Sequence, residues 1–253
     1  MRLKDKTALV TGGAAGIGEA IVRLFAAEGA SVVIADYNAE RGAALATELT
    51  GKGLPVVFVR TDVSKSEDCQ AAIKTALGRF GKLDVLVNDA GIVEQDVMLE
   101  DETEEEWDRV LGVNLHGTFF CCKYALPHLR RTKGAIVNIA SMSGLVATRY
   151  CAAYCSSKAA VIGFTRAIAA DYAPHGVRVN AICPAACETP MMKNYFSAFT
   201  PDVVQEKISR LSGPVGRMCQ PEEIAQAVLF LASAESSYTS GLALPVDGGY
   251  TAV

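Results

Sequence analysis

The chain has 253 residues, of which half are hydrophobic and 21% charged, and its formal net charge is −4. A chain of this length can bury a sizeable core and hold one large α/β domain or two small ones. The composition excludes a disordered chain, the acidic balance leaves no electrostatic footprint for nucleic acid, and no apolar run approaches the ~20 residues of a membrane span. Eight cysteines without a secretory signal at the start read as reduced thiols of a cytoplasmic protein. Cys151/Cys155 and Cys183/Cys187 fall within zinc-site spacing, but neither pair lies in a short, loop-rich module, so no metal is expected.

In chain order, Thr7 to Val10 reads as a short strand running into Thr11-Gly12-Gly13-Ala14-Ala15-Gly16-Ile17-Gly18, with a helix over Ala20–Ala27 ending near Gly29. A strand, glycine turn and helix N-terminus form an anion site, because free backbone N–H groups and the positive end of the dipole face a diphosphate. Ser31–Ala35 is a second strand, and Asp36 at its end is placed to accept both ribose hydroxyls of an adenosine. A helix over Ala39–Leu49, a strand over Val56–Arg60 leading to Asp62-Val63, a helix over Glu67–Phe80 and a strand over Leu83–Val87 ending in Asn88-Asp89-Ala90-Gly91 follow. This alternation predicts a doubly wound parallel sheet with helices on both faces, and ligands in such sheets sit at the strand carboxyl ends. Thr11, Asp36, Asp62 and Asn88 all fall there.

The acidic run from Glu100 to Asp108 reads as a capped, solvated helix start, with Thr103 and Glu106 in capping-box register and Trp107 as a core or interface anchor. Asn114 opens a helical stretch that ends near Pro127, and strand Ala135–Ile139 leads into Ser141. Tyr154 and Lys158, four residues apart, share one face of the next predicted helix, where an ammonium beside a phenol favours the phenolate and suits proton exchange with an alcohol or ketone. Strand Val177–Ile182 precedes Cys183-Pro184, and after Thr189-Pro190 comes an irregular apolar stretch, expected to be a mobile substrate loop near residues 188–215. A helix from Pro221 to Leu231, a strand over Leu242–Val246 and Asp247-Gly248-Gly249 close a single domain spanning 1–253.

Taken together, Thr11-Gly12-x3-Gly16-Ile17-Gly18, Asp62, Asn88-x-Ala90-Gly91, Asn114, Ser141, Tyr154-x3-Lys158, Pro184 with Thr189, and the Asp247-Gly248-Gly249 ending resemble the short-chain dehydrogenase/reductase family over nearly the whole length. The resemblance implies a Rossmann-like sheet of about seven strands and hydride transfer between NAD(H) and a secondary alcohol or ketone. It implies Tyr154 as acid/base, Ser141 as the group that bonds the substrate oxygen, Lys158 as the residue that lowers the tyrosine pKa, and Asn114 as the holder of a relaying water. Cofactor contacts are implied for Gly12, Ala15, Gly16, Ile17, Gly18, Asp36, Tyr37, Asp62, Val63, Asn88, Ala90, Gly91, Tyr154, Lys158, Pro184, Cys187 and Thr189. It also implies a homotetramer with a small-molecule substrate. Asp89 stands where the family usually has a second asparagine, Ala185 where it has glycine, and Cys187 where an aliphatic residue lines the nicotinamide. Two other readings remain at this stage: a 3-oxoacyl-carrier-protein reductase using Arg130 and Arg131 for docking, and a module that senses NAD(H) without turnover.

Overall fold

Seven short runs rich in Val, Ile and Ala become strands: β1 (Thr7–Thr11), β2 (Ser31–Asp36), β3 (Val56–Arg60), β4 (Val85–Asn88), β5 (Ala135–Ile139), β6 (Arg178–Pro184) and β7 (Ala243–Val246). In the computed structural model, which describes residues 1–252, they form one sheet of order β3-β2-β1-β4-β5-β6-β7. Every neighbouring pair is parallel. Such a sheet needs both faces covered, and the helices supply that cover. They are α1 (Gly16–Ala27), α2 (Ala39–Gly51), α3 (Ser66–Phe80), α4 (Glu104–Leu111), α5 (Gly117–Thr132), α6 (Ala152–Tyr172), α7 (Pro190–Phe196), α8 (Pro201–Leu211) and α9 (Pro221–Ala232).

Period-two alternation along the strands divides the core. Ala8 and Val10 of β1 and Val32 and Ile34 of β2 join one buried cluster with Ile21 and Phe25 of α1 and Val228 of α9. Leu9, Val33 and Ala35 point the other way, into a second cluster with Ile73 of α3, Leu129 of α5 and Ile168 of α6. Among the described residues no helix is long and apolar enough to cross a membrane.

Four local features differ from the sequence reading. Helix α1 begins at Gly16, so the glycine turn already contains its first turn. Asn114 does not open a helix: Gly112–His116 form a π-turn that joins α4 to α5, and Asn114 is fully buried within it. Pro127 lies inside α5, with a further turn to Thr132. The stretch after Thr189 is two helices rather than irregular chain, each opened by a Thr-Pro pair in which Pro190 or Pro201 takes the first helical position. Proline tolerates that position because its missing N–H would be unpartnered there anyway. The capping box at Thr103 is half formed: its hydroxyl accepts the Glu106 N–H at 3.1 Å, but the Glu106 carboxylate turns to Arg109 at 2.7 Å. Trp107 is half-buried outside the main clusters.

Two polar devices hold the far edge and the centre of the sheet. Asn88 donates to Asn138 and Asn138 to Thr165, both at 2.8 Å, which ties β4, β5 and α6 together inside the core. Arg178, at the start of β6, donates to the carbonyls of Leu231 (2.8 Å), Ser233 (2.9 Å) and Ser236 (3.1 Å) beyond the end of α9. These carbonyls have no partner within the helix, and a guanidinium fork serves several at once. Arg178→Met should keep the packing of the stem but remove these charge-assisted bonds, leaving Leu231 and Ser233 only the Ser236 hydroxyl and Ser236 only the Thr239 N–H. The expected loss is about 2–3 kcal/mol of unfolding free energy, read as a lower urea midpoint with an unchanged slope.

Candidate active site

The order of the sheet reverses between β1 and β4, so the connections from their carboxyl ends leave toward opposite faces. A cleft of about 680 Å³ opens over that edge. This is the usual position and size for a ligand site in an open α/β sheet.

Its floor is the glycine turn after β1. Gly12 and Gly16 have φ of 66° and 55°, a region costly for other residues. A Cβ on Gly12 would lie 2.9 Å from the Ala90 backbone, and one on Gly18 would lie 2.1 Å from the Gly12 carbonyl oxygen. The Thr11 hydroxyl draws the two loops together by accepting the N–H groups of Asp89 (3.1 Å) and Ala90 (3.2 Å). The N-cap residue of α1, Ala15, carries no side-chain acceptor, so the opening N–H groups of the helix are left at the cleft as a cradle for an anion.

Asp36 forms one end of the cleft. Its oxygens accept the N–H groups of Ala14 (2.9 Å) and Asn38 (2.8 Å), which fixes the carboxylate and leaves a lone pair on each oxygen for a ligand. The helix cap that follows is the Asn38 side chain, which accepts the Arg41 N–H at 3.0 Å. Tyr37 is exposed beside it, and the Arg60 guanidinium lies 4.9 Å from its ring centroid. Arg60, and not only the exposed Arg41, is therefore a cation beside this end, because β3 pairs with β2 in register Asp36–Arg60. Asp62 is held by Ser64 through N–H (3.0 Å) and hydroxyl (2.7 Å) and lines the same wall with Val63, Ala90 and Gly91.

At the other end, Ser141, Tyr154 and Lys158 meet. Helix α6 places Lys158 Nζ 5.6 Å from the Tyr154 ring centroid, and the ammonium donates to the Ile139 carbonyl at 2.8 Å. Burial holds Lys158 down to about 8, with Asp89 and Cys183 opposing that fall. Burial also pushes the Tyr154 phenol up to about 12, and the facing Ser141 hydroxyl pulls it back. Removal of water is the leading cause of that rise in the free protein. The N-terminus of α6 is held by a residue the sequence reading passed over. Glu94, 1% exposed, accepts the Tyr154 N–H with both carboxylate oxygens at 3.0 and 3.1 Å.

Helices α7 and α8 roof this end with Met191, Met192, Tyr195 and Leu211. Asp96 latches the roof, accepting from Tyr195 Oη and from Lys207 Nζ, and Lys207 lies 4.3 Å from the Phe199 ring centroid. The neck of the roof is a parallel bridge between Cys187 and Cys219, with Glu188 N–H donating to the Cys219 carbonyl at 2.9 Å. Hydrogen bonding to Cys219 and burial push the Cys187 thiol well up.

Gly12, Ala15, Gly16, Ile17, Asp36, Tyr37, Asp62, Val63, Ala90, Gly91, Ser141, Tyr154, Lys158, Pro184, Cys187 and Thr189 all line this one cleft. Three expected residues do not. Gly18 lies behind Gly12 and makes room for it. Asn88 sends its amide nitrogen into the core toward Asn138 and Cys122, so its side chain does not line the cleft. Asn114 is buried behind the cleft, exchanging bonds with Ile92 (2.8 and 2.9 Å) and donating to Ser157 at 3.0 Å, with its Oδ1 on the Gly91 side where Lys158 Nζ also lies. Among lining residues the sequence reading missed, Met142, Thr148 and Cys151 carried no motif of their own.

Comparison with known proteins gives a concordant picture. A family model described as enoyl-(acyl carrier protein) reductase matches residues 12–251. The chain is 40% identical over 252 residues to meso-2,3-butanediol dehydrogenase of Serratia marcescens, covering 100% of this chain and 97% of that one. It is 41% identical to cyclopentanol dehydrogenase of Comamonas sp. (strain NCIMB 9872), covering 99% of each. The solved structure of levodione reductase superposes with a TM-score of 0.95 at 33% identity, covering 100% of both chains.

Glu94→Ala should lower the unfolding free energy by about 1–2 kcal/mol, since it leaves the first turn of α6 without its anionic acceptor. Glu94→Gln, which keeps a neutral oxygen there, should cost less. Urea titrations of the two variants check the order.

Proposed function

The chain belongs to the short-chain dehydrogenase/reductase family and is an oxidoreductase of secondary alcohols and their ketones; we propose that it uses NAD rather than NADP, with Tyr154 as the group that exchanges the proton. The observation that carries this reading is the convergence of Ser141, Tyr154 and Lys158 at one end of a cleft whose other end is the Asp36 carboxylate.

The fit to a dinucleotide rests on the uncapped start of α1 beside a glycine turn whose close approach to the Ala90 backbone leaves no room for a Cβ on Gly12. Gly12, Ala15, Gly16 and Ile17 would hold the diphosphate, Asp36 the adenosine ribose, and Asp62, Val63, Ala90 and Gly91 the adenine side. Lys158 would hold the second ribose, and Pro184, Cys187 and Thr189 would flank the nicotinamide. When bound, the nicotinamide supplies the hydride acceptor for oxidation and the donor for reduction. Tyr154 Oη takes the alcohol proton in oxidation and returns it in reduction. Ser141 Oγ bonds the same substrate oxygen and steadies the charge that develops on it. Lys158, cationic near neutral pH, places its charge beneath the phenol and favours the phenolate that oxidation needs. The roof excludes water, and its apolar lining of Met191, Met192 and Leu211 favours an uncharged substrate.

The carrier-protein alternative loses ground on geometry. Arg130 and Arg131 end α5 just before β5 begins, at the amino edge of the sheet and away from the cleft. Arg131 is engaged with His128 at 2.5 Å.

Assembly as a homotetramer is supported by apolar surface on the α5 and α6 faces, where Phe119 is exposed and packs edge-to-face on Phe164 at 6.3 Å. Closed symmetric assemblies are the general expectation for such faces. Light scattering should return four times the 26.7 kDa chain mass, and a monomer would refute it.

Tyr154→Phe should fold and bind cofactor yet lose turnover by several orders of magnitude, and substantial activity in the folded variant would remove the tyrosine from its role. For the unmodified enzyme kcat/KM for oxidation should rise with pH, because the base is the deprotonated phenol. Coenzyme choice follows from charge. The NADP phosphate would meet the Asp36 carboxylate, and at an effective dielectric of ~20 two unit charges ~4 Å apart repel by about 4 kcal/mol. Arg60 offsets little of this, since it lies over the Tyr37 ring and is solvated. NAD should therefore exceed NADP by about a hundredfold or more in kcat/KM, or roughly 2.7 kcal/mol. Asp36→Ala should shrink that ratio. Equal use of both coenzymes by the unmodified protein would refute the role of Asp36.

A further inference from the structure

We propose that Asp89 takes up a proton when the dinucleotide binds, so that this side chain, apart from the catalytic pair, makes cofactor affinity depend on pH. The proposal rests on the reading of the cleft as a dinucleotide site and concerns a residue given no part in it so far.

Asp89 follows Asn88 at the end of β4, where its backbone is pinned by the Thr11 hydroxyl at 3.1 Å. Its carboxyl lies under the glycine turn. The Gly18 N–H faces it, and a Cβ on Gly18 would come within 2.7 Å of its Oδ2. The side chain thus faces a donor in the first turn of α1, the same helix end whose other N–H groups and dipole make the cradle for a diphosphate. Asp89 also lines the cleft itself.

Three titratable groups face it: Lys158 from α6, Asp36 from β2 and the Cys187 thiol from the loop after β6, which burial and Cys219 keep neutral. Burial holds its carboxyl up to about 7, Asp36 adds to that rise, and Lys158 and the Gly18 N–H oppose it. In the free protein the acid is therefore balanced near neutrality. A diphosphate on the same turn adds negative charge beside it and engages Lys158 through the ribose, so both changes favour the neutral acid. Chemistry points the same way: an ionised carboxyl only accepts hydrogen bonds, whereas the protonated form also donates one and can face phosphate or ribose oxygens. Each dinucleotide bound above the carboxyl's own pKa then draws a proton from solvent, and affinity falls as pH rises.

For one group titrating near pH 7 and protonated in the complex, linkage gives an NADH dissociation constant that rises about eightfold between pH 6.5 and 8. NADH fluorescence titration measures it. Asp89→Asn carries a neutral amide of the same shape and should bind NADH with only the rise of about twofold that Lys158 imposes, more tightly than the unmodified protein at pH 8. Lys158 also loses its proton near pH 8 and weakens binding in the same direction, so a full slope in Asp89→Asn would assign the effect to Lys158 and overturn the proposal. Calorimetry of the unmodified protein in two buffers of different ionisation enthalpy gives a second measure that needs no variant. It should show uptake of about half a proton at pH 7, rising toward one at pH 8. Binding without proton uptake would overturn this proposal alone. No NADH binding at any pH would overturn the dinucleotide reading and this proposal with it.

Discussion

Two connections cannot leave the adjacent carboxyl ends of β1 and β4 on the same side, because α1 already fills one face and the chain toward α4 takes the other. The gap between them is the cleft, and the rest of the molecule is arranged to keep it open and to line it. Glycines let the β1 and β4 loops approach until their backbones touch, and the Thr11 hydroxyl bridges them. The Asn88–Asn138–Thr165 chain holds β4, β5 and α6 in fixed relation just beneath. Because α6 carries Tyr154 and Lys158 and β5 leads into Ser141, this buried chain also fixes the reacting end relative to the cradle.

Strands and most helices were legible because their apolar residues follow the pleat or the helical turn, and in a fully covered parallel sheet that pattern meets little competition. The helix spacing of Tyr154 and Lys158 was legible for the same reason. What escaped depends on contacts distant in sequence. Asn88 sits at the end of a strand whose parity sends it inward, onto a partner fifty residues away. Glu94 gives no local sign that it will cap a helix beginning at Ala152. Asn114 was recognised as a motif residue, but its π-turn and its bonds to Ile92 exist only once the loop after β4 has docked. The roof was misjudged locally, since Thr189-Pro190, read as a break, is a helix-start signal, and Thr200-Pro201, which repeats it, was passed over.

The cleft moves its three central ionisable groups toward neutrality. Tyr154 and Asp89 rise and Lys158 falls, each with removal of water as the leading cause. A site tuned in this way keeps little fixed charge of its own near the reaction. The charge of a bound ligand then acts on groups that respond to it, which couples binding and proton position more tightly than an exposed site could.

The roof is attached to this machinery rather than built into it. Among the described residues, none between 190 and 211 belongs to the three buried clusters that hold the sheet to its helices. Met191, Met192, Tyr195 and Leu211 nevertheless face the reacting end. Stability and substrate choice are therefore written in different parts of the chain. Variation within the roof can change the shape offered to an alcohol while the hydride chemistry and the fold stay as they are, so lineages sharing this scaffold can diverge in diet without renegotiating how they fold.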